Sequence, residues 1–269
     1  MKIGNKDFEL NNHTYVMGIL NLTPDSFSDG GKYTDLSQAL FHVEEMLKEG
    51  MDLLDIGGES TRPGYTLLSE EEEIERVIPV IEAVKRQFDV PISLDTYKSK
   101  VAQAGLKAGC DLINDIWGLK YDDTMAGLIA KADVPCVLMH NRRDAVYEDF
   151  LADVISDLQE SLAIAHKAGI PDYNIILDPG IGFAKSYEQN LFLLNALDQI
   201  VKLGYPVLLG TSRKSVIGLT LDLPVKERLE GTLVTTVMGV EKGCSFIRVH
   251  DIKENVRAVK MTKAIMSIR

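Results

Sequence analysis

The stretch MDLLDIGGESTRPGYTLLSEEEEIERVIPVIEAVKRQFDVPISLD, residues 51–95, contains one complete strand–helix–strand unit. Two apolar runs, Met51–Ile56 and Pro91–Leu94, flank a helical segment, Ser69–Phe88, that opens on Ser69 and a run of glutamates. Such a start suits a helix N-terminus, where acidic side chains are favourable. The apolar runs do not alternate strictly with polar residues, which is typical of strands buried on both faces. We interpret the stretch as a βαβ unit of a parallel sheet.

The same unit recurs along the whole chain, about once per 30 residues, which is the size of a βαβ repeat. The predicted strands are Tyr15–Leu20, Met51–Ile56, Pro91–Leu94, Asp111–Ile113, Val134–Met139, Asn174–Leu177, Pro206–Leu209 and Phe246–Val249. The predicted helices are Asp35–Glu49, Ser69–Phe88, Tyr97–Lys107, Asp122–Ala132, Tyr147–Ala168, Tyr187–Lys202, Val225–Lys242 and Ile252–Ile268. No Pro- or Ser-rich linker divides them.

Eight such units in about 250 residues predict a (β/α)8 barrel, the TIM barrel of the α/β class, formed as a single domain over residues 1–269. The alternative is an open doubly wound sheet. That fold normally has a glycine fingerprint after its first strand, and this sequence lacks one.

Composition limits the possible partners. The chain has 269 residues, a formal net charge of −11 and no basic block, so neither a nucleic acid nor an anionic membrane is an expected partner. The three cysteines have no metal or redox spacing. Residues 1–12 lack the apolar segment of a signal peptide, and no apolar run reaches the roughly 18 residues of a membrane span. We expect a cytoplasmic enzyme that acts on small molecules.

Every predicted strand delivers a polar side chain at its C-terminal end. These residues are Asn21, Asp55 with Glu59, Thr61 and Arg62 beyond it, Asp95, Asn114 with Asp115, His140, Asp178, Ser212 to Ser215, and Arg248 with His250. One such residue is usually a cap or a turn former. Eight on one rim indicate an active site, because barrel active sites lie where the strands end.

Some of these side chains suit an anion and a metal ion. Thr61 and Arg62, in a glycine-rich loop, and Arg248 and His250, at the end of the last strand, would bind a phosphate-type group. The alternative for Arg62 is a surface position beside a turn proline. The neutral amide oxygen of Asn21 would bind a Mg²⁺ ion that a diphosphate also holds.

Others suit an uncharged heterocycle. Asp95 and Asp178 follow apolar residues and should lie deep in the mouth, where a ligand with adjacent N–H groups would satisfy them. The alternative for Asp178 is a cap for the turn that follows it. Asn114 can both donate and accept. We expect only surface or supporting roles for His140 and for Arg142 and Arg143.

The chain resembles the dihydropteroate synthase family over essentially its whole length. The motifs that carry the resemblance are MGILNLTPDSFSDGG at 17–31, DIGGESTRPG at 55–64, SLDTYK at 93–98, INDIWG at 113–118, LDPGIGF at 177–183, GTSRKS at 210–215 and RVHD at 248–251. The one departure is MHNRR at 139–143, where many relatives continue with Met and Gly.

The resemblance implies a reaction in which the amine of 4-aminobenzoate displaces diphosphate from 6-hydroxymethyl-7,8-dihydropterin diphosphate. It implies that the pterin is held by Asp95, Asn114, Asp178 and Lys214, with Ile116 and Met139 lining its faces. The diphosphate would be held by Thr61, Arg62, Arg248, His250 and Mg²⁺ on Asn21, and the aminobenzoate by Phe183 and Ser215. Asp95 and Lys214 are the expected catalytic residues, and a homodimer is expected. Two alternatives are a pterin-binding domain of the corrinoid methyltransferase type and a pterin-binding paralogue without activity.

Overall fold

A computed structural model describes residues 1–10, 13–22, 31–59 and 67–268, and in the first helix it describes side chains from residue 36 onward. The strands are β1 Lys2–Ile3, β2 Lys6–Asp7, β3 Tyr15–Asn21, β4 Leu53–Gly57, β5 Ile92–Asp95, β6 Leu112–Asp115, β7 Cys136–Met139, β8 Ile175–Asp178, β9 Leu208–Leu209 and β10 Phe246–Val249. The helices are α1 Gly31–Glu49, α2 Glu70–Gln87, α3 Ser99–Ala108, α4 Met125–Ala132, α5 Phe150–Ala168, α6 Tyr187–Asn195, α7 Leu197–Val201, α8 Ser215–Leu221, α9 Leu229–Lys242 and α10 Ile252–Ser267.

Strands β3 to β10 form a closed parallel barrel. Their order is β8-β7-β6-β5-β4-β3-β10-β9, and the two ends of this series meet at a parallel bridge between Leu177 and Val207. The Leu177 amide donates to the Pro206 carbonyl at 2.9 Å at the same place. The predicted (β/α)8 barrel is confirmed, and the open-sheet alternative is wrong.

The predicted strands match the observed ones within two residues, but four other features differ. The predicted helix Tyr187–Lys202 is divided at Ala196 into α6 and α7, and the predicted helix Val225–Lys242 begins as a 3₁₀ turn before α9. Helix α5 starts at Phe150, later than predicted, because the Asp149 side chain accepts from the Ala152 amide at 3.2 Å and caps the helix there. The sequence did not predict the antiparallel hairpin β1–β2.

The barrel interior changes from apolar to polar along the strands, because alternate residues of a strand point inward. The lower inward positions form one apolar cluster with two residues of the N-terminal hairpin region: Ile3, Phe8, Met17, Leu53, Leu112, Val137, Ile176, Leu208 and Phe246. Two residues further along β4, β6, β8 and β10, the inward side chains are Asp55, Asn114, Asp178 and Arg248. The outward side chains pack against the helices in a second, larger apolar core.

Within the described ranges, no helix combines the length and the apolar character that a membrane span requires.

Phe8 packs in the apolar cluster that closes the lower end of the barrel, and its loss should lower the stability of the fold. Its ring lies 4.8 Å from that of Tyr15 and 5.8 Å from that of Phe246, measured between centroids. Phe8→Ala should lower the free energy of unfolding by about 3 kcal/mol, because the substitution leaves a cavity in a close-packed interior. Urea unfolding measures the change. Phe41→Ala, at a ring that is 64% exposed, is the matched control, and equal losses in the two variants would contradict this packing role.

Candidate active site

Arg248 and Asp55 form a buried ion pair at the centre of the mouth. The Arg248 Nε donates to Asp55 Oδ2 at 2.6 Å, and its Nη2 donates to Asp95 Oδ2 at 2.7 Å. Asp55 is fully buried. A buried charge is stabilising only when it is paired and hydrogen-bonded, and Asp55 meets both conditions. Two carboxylates therefore hold the guanidinium in place.

The second oxygen of Asp55 ties the same pair to neighbouring strands. Its Oδ1 accepts from Ser93 Oγ at 2.5 Å and, more weakly, from Asn114 Nδ2 at 3.4 Å. Asn114 is thus oriented by a residue that lies deeper in the barrel. The sequence places Asp55 on the rim but indicates no role for it or for Ser93. The sequence pattern that marks Asp55 as an inward residue is its position two residues after the inward Leu53.

The pKa of Asp95 is raised by its surroundings. Desolvation raises the pKa of Asp95 to about 7, the Arg248 guanidinium opposes the rise, and the neighbouring Asp55 carboxylate adds to it. Like charges that share one site cannot all ionise easily. Asp95 therefore gains or loses a proton near neutral pH.

Asp178 and Lys214 face each other on the opposite side of the mouth. Asp178 is buried, and its Oδ1 accepts from the Gly180 amide at 2.7 Å. Desolvation raises the pKa of Asp178, and Lys214 and the Gly180 amide oppose the rise. Desolvation also lowers the pKa of Lys214 to about 8, against the attraction of Asp178. Asp178 thus does cap the turn that follows β8, as the alternative predicts. Its carboxylate nevertheless lies at the mouth of the barrel.

Lys214 also contacts the loop that follows β8. Its Nζ donates to the Ile181 carbonyl and lies 4.8 Å from the centroid of the Phe183 ring. Phe183 packs in turn on an apolar cluster at the rim, formed by Tyr97, Ile116, Met139 and Trp117. The structure therefore brings Ile116 and Met139, the residues that the resemblance assigns to the pterin, together with Phe183, which it assigns to the aminobenzoate, beside the polar groups.

Asn21 lies where a metal ion could bridge to a ligand. Gly57 lies between Asn21 and Asp95 at the mouth. A Cβ atom built on Gly57 would be 3.8 Å from Asn21 Oδ1 and 3.8 Å from Asp95 Oδ2, so the amide oxygen and the carboxylate face the same space. Among the described residues, no group of three or more His, Cys, Asp or Glu side chains converges on a metal position. One neutral oxygen fits a Mg²⁺ ion whose other ligands are water and a substrate diphosphate.

The remaining predicted residues are at the rim or outside the described residues. His250 Nδ1 and Ser212 Oγ share a hydrogen bond of 3.0 Å. Ser215 is exposed at the start of α8. Thr61 and Arg62 lie outside the described residues. At the edge of that gap, Glu59 accepts from the Lys98 ammonium at 2.6 Å and from the Tyr97 hydroxyl at 2.7 Å.

The structure corrects the surface role considered for His140. This residue is fully buried, because its ring lies beneath the loop after β8, whereas Arg143 is exposed. Arg142 is half-buried and donates from Nε to Asp157 at 2.5 Å. A supporting role is what remains for His140 and Arg142.

Carboxylates, an amide and two cations gathered at the strand ends of a (β/α)8 barrel form the arrangement of a barrel-enzyme active site. The family model described as "Pterin binding enzyme" matches residues 17–250. A dihydropteroate synthase from Clostridium beijerinckii is 60% identical over 267 residues, which cover 99% of each chain. The chain therefore belongs to the dihydropteroate synthase family.

Solved structures agree with this assignment. A dihydropteroate synthase from Clostridium difficile, determined in the presence of pteroic acid, superposes with a TM-score of 0.94 at 48% identity and covers 96% of this chain and 99% of its own. That of Xanthomonas albilineans with 4-aminobenzoic acid superposes with a TM-score of 0.91 at 42% identity and covers 96% and 94%.

The raised pKa of Asp95 predicts a stability that depends on pH. Between the ordinary carboxyl value of 3.8 and about 7, the folded protein binds more protons at this site than the unfolded chain, so the free energy of unfolding falls as pH rises through that window. Asp95→Asn removes this dependence, and its stability should fall less between pH 5 and pH 8. Urea unfolding at several pH values measures both slopes. The exposed Asp123→Asn is the control, and wild-type-like slopes in Asp95→Asn would contradict the assignment.

Proposed function

We propose that the site joins 6-hydroxymethyl-7,8-dihydropterin diphosphate to 4-aminobenzoate, giving 7,8-dihydropteroate and diphosphate. The protein is a transferase of folate biosynthesis. The observation that carries the proposal is the set of Asp95, Asn114 and Asp178, of which Asn114 and Asp178 are buried and Asp95 is partly buried, in a mouth that also holds Arg248 and Lys214. A polar heterocycle with a diphosphate needs both kinds of group. The relatives crystallised with pteroic acid and with 4-aminobenzoic acid support the same pair of substrates.

The pterin is recognised by matching donors to acceptors. A 2-amino-4-oxo-pterin presents neighbouring ring and exocyclic N–H groups, which one carboxylate such as Asp178 can accept together. Asn114 and Asp95 meet further ring positions, and the Lys214 ammonium faces a carbonyl or ring nitrogen. Ile116 and Met139 cover the faces of the ring. Binding the heterocycle in this way supplies the buried carboxylates with donors.

The chemistry is a substitution at the methylene carbon. The nitrogen of the arylamine forms a bond to that carbon, the carbon–oxygen bond to diphosphate breaks, and the amine loses one proton. An arylamine is neutral near pH 7, so the nucleophile needs no strong base. Cationic character that develops on the methylene carbon delocalises into the pterin. The protein acts by orientation and by charge stabilisation, with Asp95 and Lys214 in contact with the reacting pterin.

The leaving group needs positive charge. Arg248 and His250 supply it from the last strand, together with Thr61 and Arg62. Asn21 would hold a Mg²⁺ ion, and that ion would supply positive charge beside the diphosphate. Ser215, exposed at the start of α8, would receive the aminobenzoate carboxylate beside Phe183.

We also propose a cytoplasmic homodimer. Large apolar side chains are exposed on α8, α9 and α10, and α9 packs against the other two helices. Leu219, Val234, Met261 and Ile265 are each at least 60% exposed, which supports an interface between two copies. Sedimentation velocity measures the mass in solution.

Turnover of both substrates tests the proposed reaction directly. Purified protein with Mg²⁺, the pterin diphosphate and 4-aminobenzoate should release dihydropteroate and diphosphate in equal amounts. A pterin-binding paralogue would bind the pterin and form no product, and that outcome would overturn the proposed activity.

Asp178→Asn tests the recognition of the pterin. The substitution keeps the size of the side chain and turns an acceptor into a donor facing the pterin N–H groups, which costs about 1–3 kcal/mol. The affinity for 6-hydroxymethylpterin should therefore fall roughly 10- to 100-fold in calorimetry. Asp222→Asn, at an exposed carboxylate, is the control. Unchanged affinity in Asp178→Asn would rule out this role.

His250→Asn tests the diphosphate site. The variant removes the imidazole from the rim, and we expect the affinity for inorganic diphosphate with Mg²⁺ to fall about tenfold. The affinity for a pterin without phosphate should stay within about twofold. Calorimetry with each ligand compares the two. His166→Asn, at an exposed His that pairs with Asp172, is the control, and equal losses for both ligands would place the anion elsewhere.

A further inference from the structure

Lys185 is a partly buried lysine that the proposed reaction does not use. Its Nζ donates to the carbonyl oxygens of Gly180 and Phe183, at 2.9 Å each, and to His140 Nδ1 at 2.8 Å. An ammonium has three N–H groups, and three acceptors surround it. Desolvation lowers the pKa of Lys185 to about 7, and the Asp178 carboxylate opposes the fall.

His140 connects this ammonium to the helix after β7. Its Nε2 lies 3.0 Å from Asp157 Oδ2. Because Nδ1 accepts from Lys185, the neutral ring carries its proton on Nε2 and donates it to Asp157. Burial, and after it the Lys185 charge, lower the pKa of His140 to about 3, although the Asp157 carboxylate opposes the fall. The ring therefore stays neutral and keeps one orientation.

Arg142 fixes the far end of this chain of contacts. Its Nε and Nη2 donate to the two oxygens of Asp157 at 2.5 and 3.1 Å, and its guanidinium carbon lies 4.4 Å from the centroid of the Tyr147 ring. The Tyr147 hydroxyl donates to the Ala184 carbonyl at 2.7 Å. The loop after β7 thus contacts the loop after β8 at two places.

The loop after β8 carries groups that meet the substrates. Lys185 holds the carbonyls of Gly180 and Phe183, and between them lies Ile181, whose carbonyl accepts from Lys214. The approach of the two loops is close: a Cβ on Gly180, whose φ is +68°, would lie 2.0 Å from the His140 carbonyl oxygen. Asp178, in contrast, belongs to β8 itself and is positioned by the barrel.

We propose that Lys185 is a positioning residue that acts with His140 to fix the Phe183 side of the aminobenzoate pocket. The inference rests on the proposed function, since it assigns aminobenzoate to the pocket beside Phe183. Loss of the ammonium removes one hydrogen bond from each of the Gly180 and Phe183 carbonyls, of which the Gly180 carbonyl still accepts from the Phe183 amide, and the Phe183 ring loses its fixed position over Lys214. The residues on the strands that contact the pterin keep their positions; these are Asp95, Asn114 and Asp178.

Lys185→Met, which has a similar length and no donor, tests the proposal. The KM for 4-aminobenzoate should rise about tenfold, as expected for the loss of buried hydrogen bonds, while kcat and the calorimetric Kd for 6-hydroxymethylpterin stay within about threefold. Lys202→Met, at an exposed lysine paired with Asp198, is the matched control and should behave as wild type. Thermal unfolding of each variant verifies that it folds.

His140→Phe approaches the same contact from its other side. It keeps a ring and removes both nitrogens, and it should raise the KM for 4-aminobenzoate in the same direction. Combined with Lys185→Met, it should add less than its separate effect, because both substitutions break one linkage.

The outcomes separate this proposal from the proposed function. A wild-type protein without turnover would refute the proposed reaction. With an active wild type, an unchanged KM in folded Lys185→Met, equal losses of pterin and aminobenzoate binding, or full additivity in the double variant would each overturn the positioning role. Failure of both single variants to fold would also overturn it, in favour of a purely structural role.

Discussion

The ion pair between Arg248 and Asp55 is the interaction on which the site depends. It lies where the barrel interior changes from an apolar layer to a polar one, and it joins β10 to β4 and, through Asp95, to β5. A guanidinium there is tolerable only because two carboxylates surround it. Asn114 and Ser93 are oriented on the same Asp55 oxygen. One buried carboxylate thus determines the position of groups on three other strands.

The charges in the mouth adjust one another. Three carboxyl groups, of Asp55, Asp95 and Asp178, share the space with Arg248 and Lys214, so carboxyl groups outnumber cations. The pKa of Asp95 is raised to about 7 and that of Lys214 is lowered to about 8, and in both cases burial is the larger cause. A ligand that brings N–H donors and a diphosphate gives the carboxyl groups donors and the cations an anionic partner. The site is therefore organised for charge before substrate arrives, which is how such sites stabilise a transition state.

Sequence patterns predicted the barrel and most of the mouth because both follow from local rules. Apolar runs marked the strands, and polar residues after them marked the rim, as for Asp95, Asn114, Asp178 and Arg248. The role of Asp55 was missed because it depends on a partner 193 residues away in the chain. The division of the helix at Ala196 and the hairpin before β3 were missed because short elements carry little periodicity. Thr61 and Arg62 lie outside the described residues, so their roles stay predictions.

His140 and Lys185 show a different limit of sequence reasoning. Each follows a motif that marks the rim, but neither has chemistry that distinguishes it until the loops after β7 and β8 are seen in contact. The need for this contact is physical. Side chains on strands, such as Asp178, are positioned by the sheet hydrogen bonds around them, whereas Phe183 lies on a loop that has no such ladder. A loop that carries a binding residue must be fixed by side chains, because its own backbone groups otherwise turn to water. The ammonium of Lys185, which satisfies two loop carbonyls and the His140 ring at once, contributes to that fixation beside Tyr147, which donates to the Ala184 carbonyl, and Asn190, which accepts from the Gly182 amide.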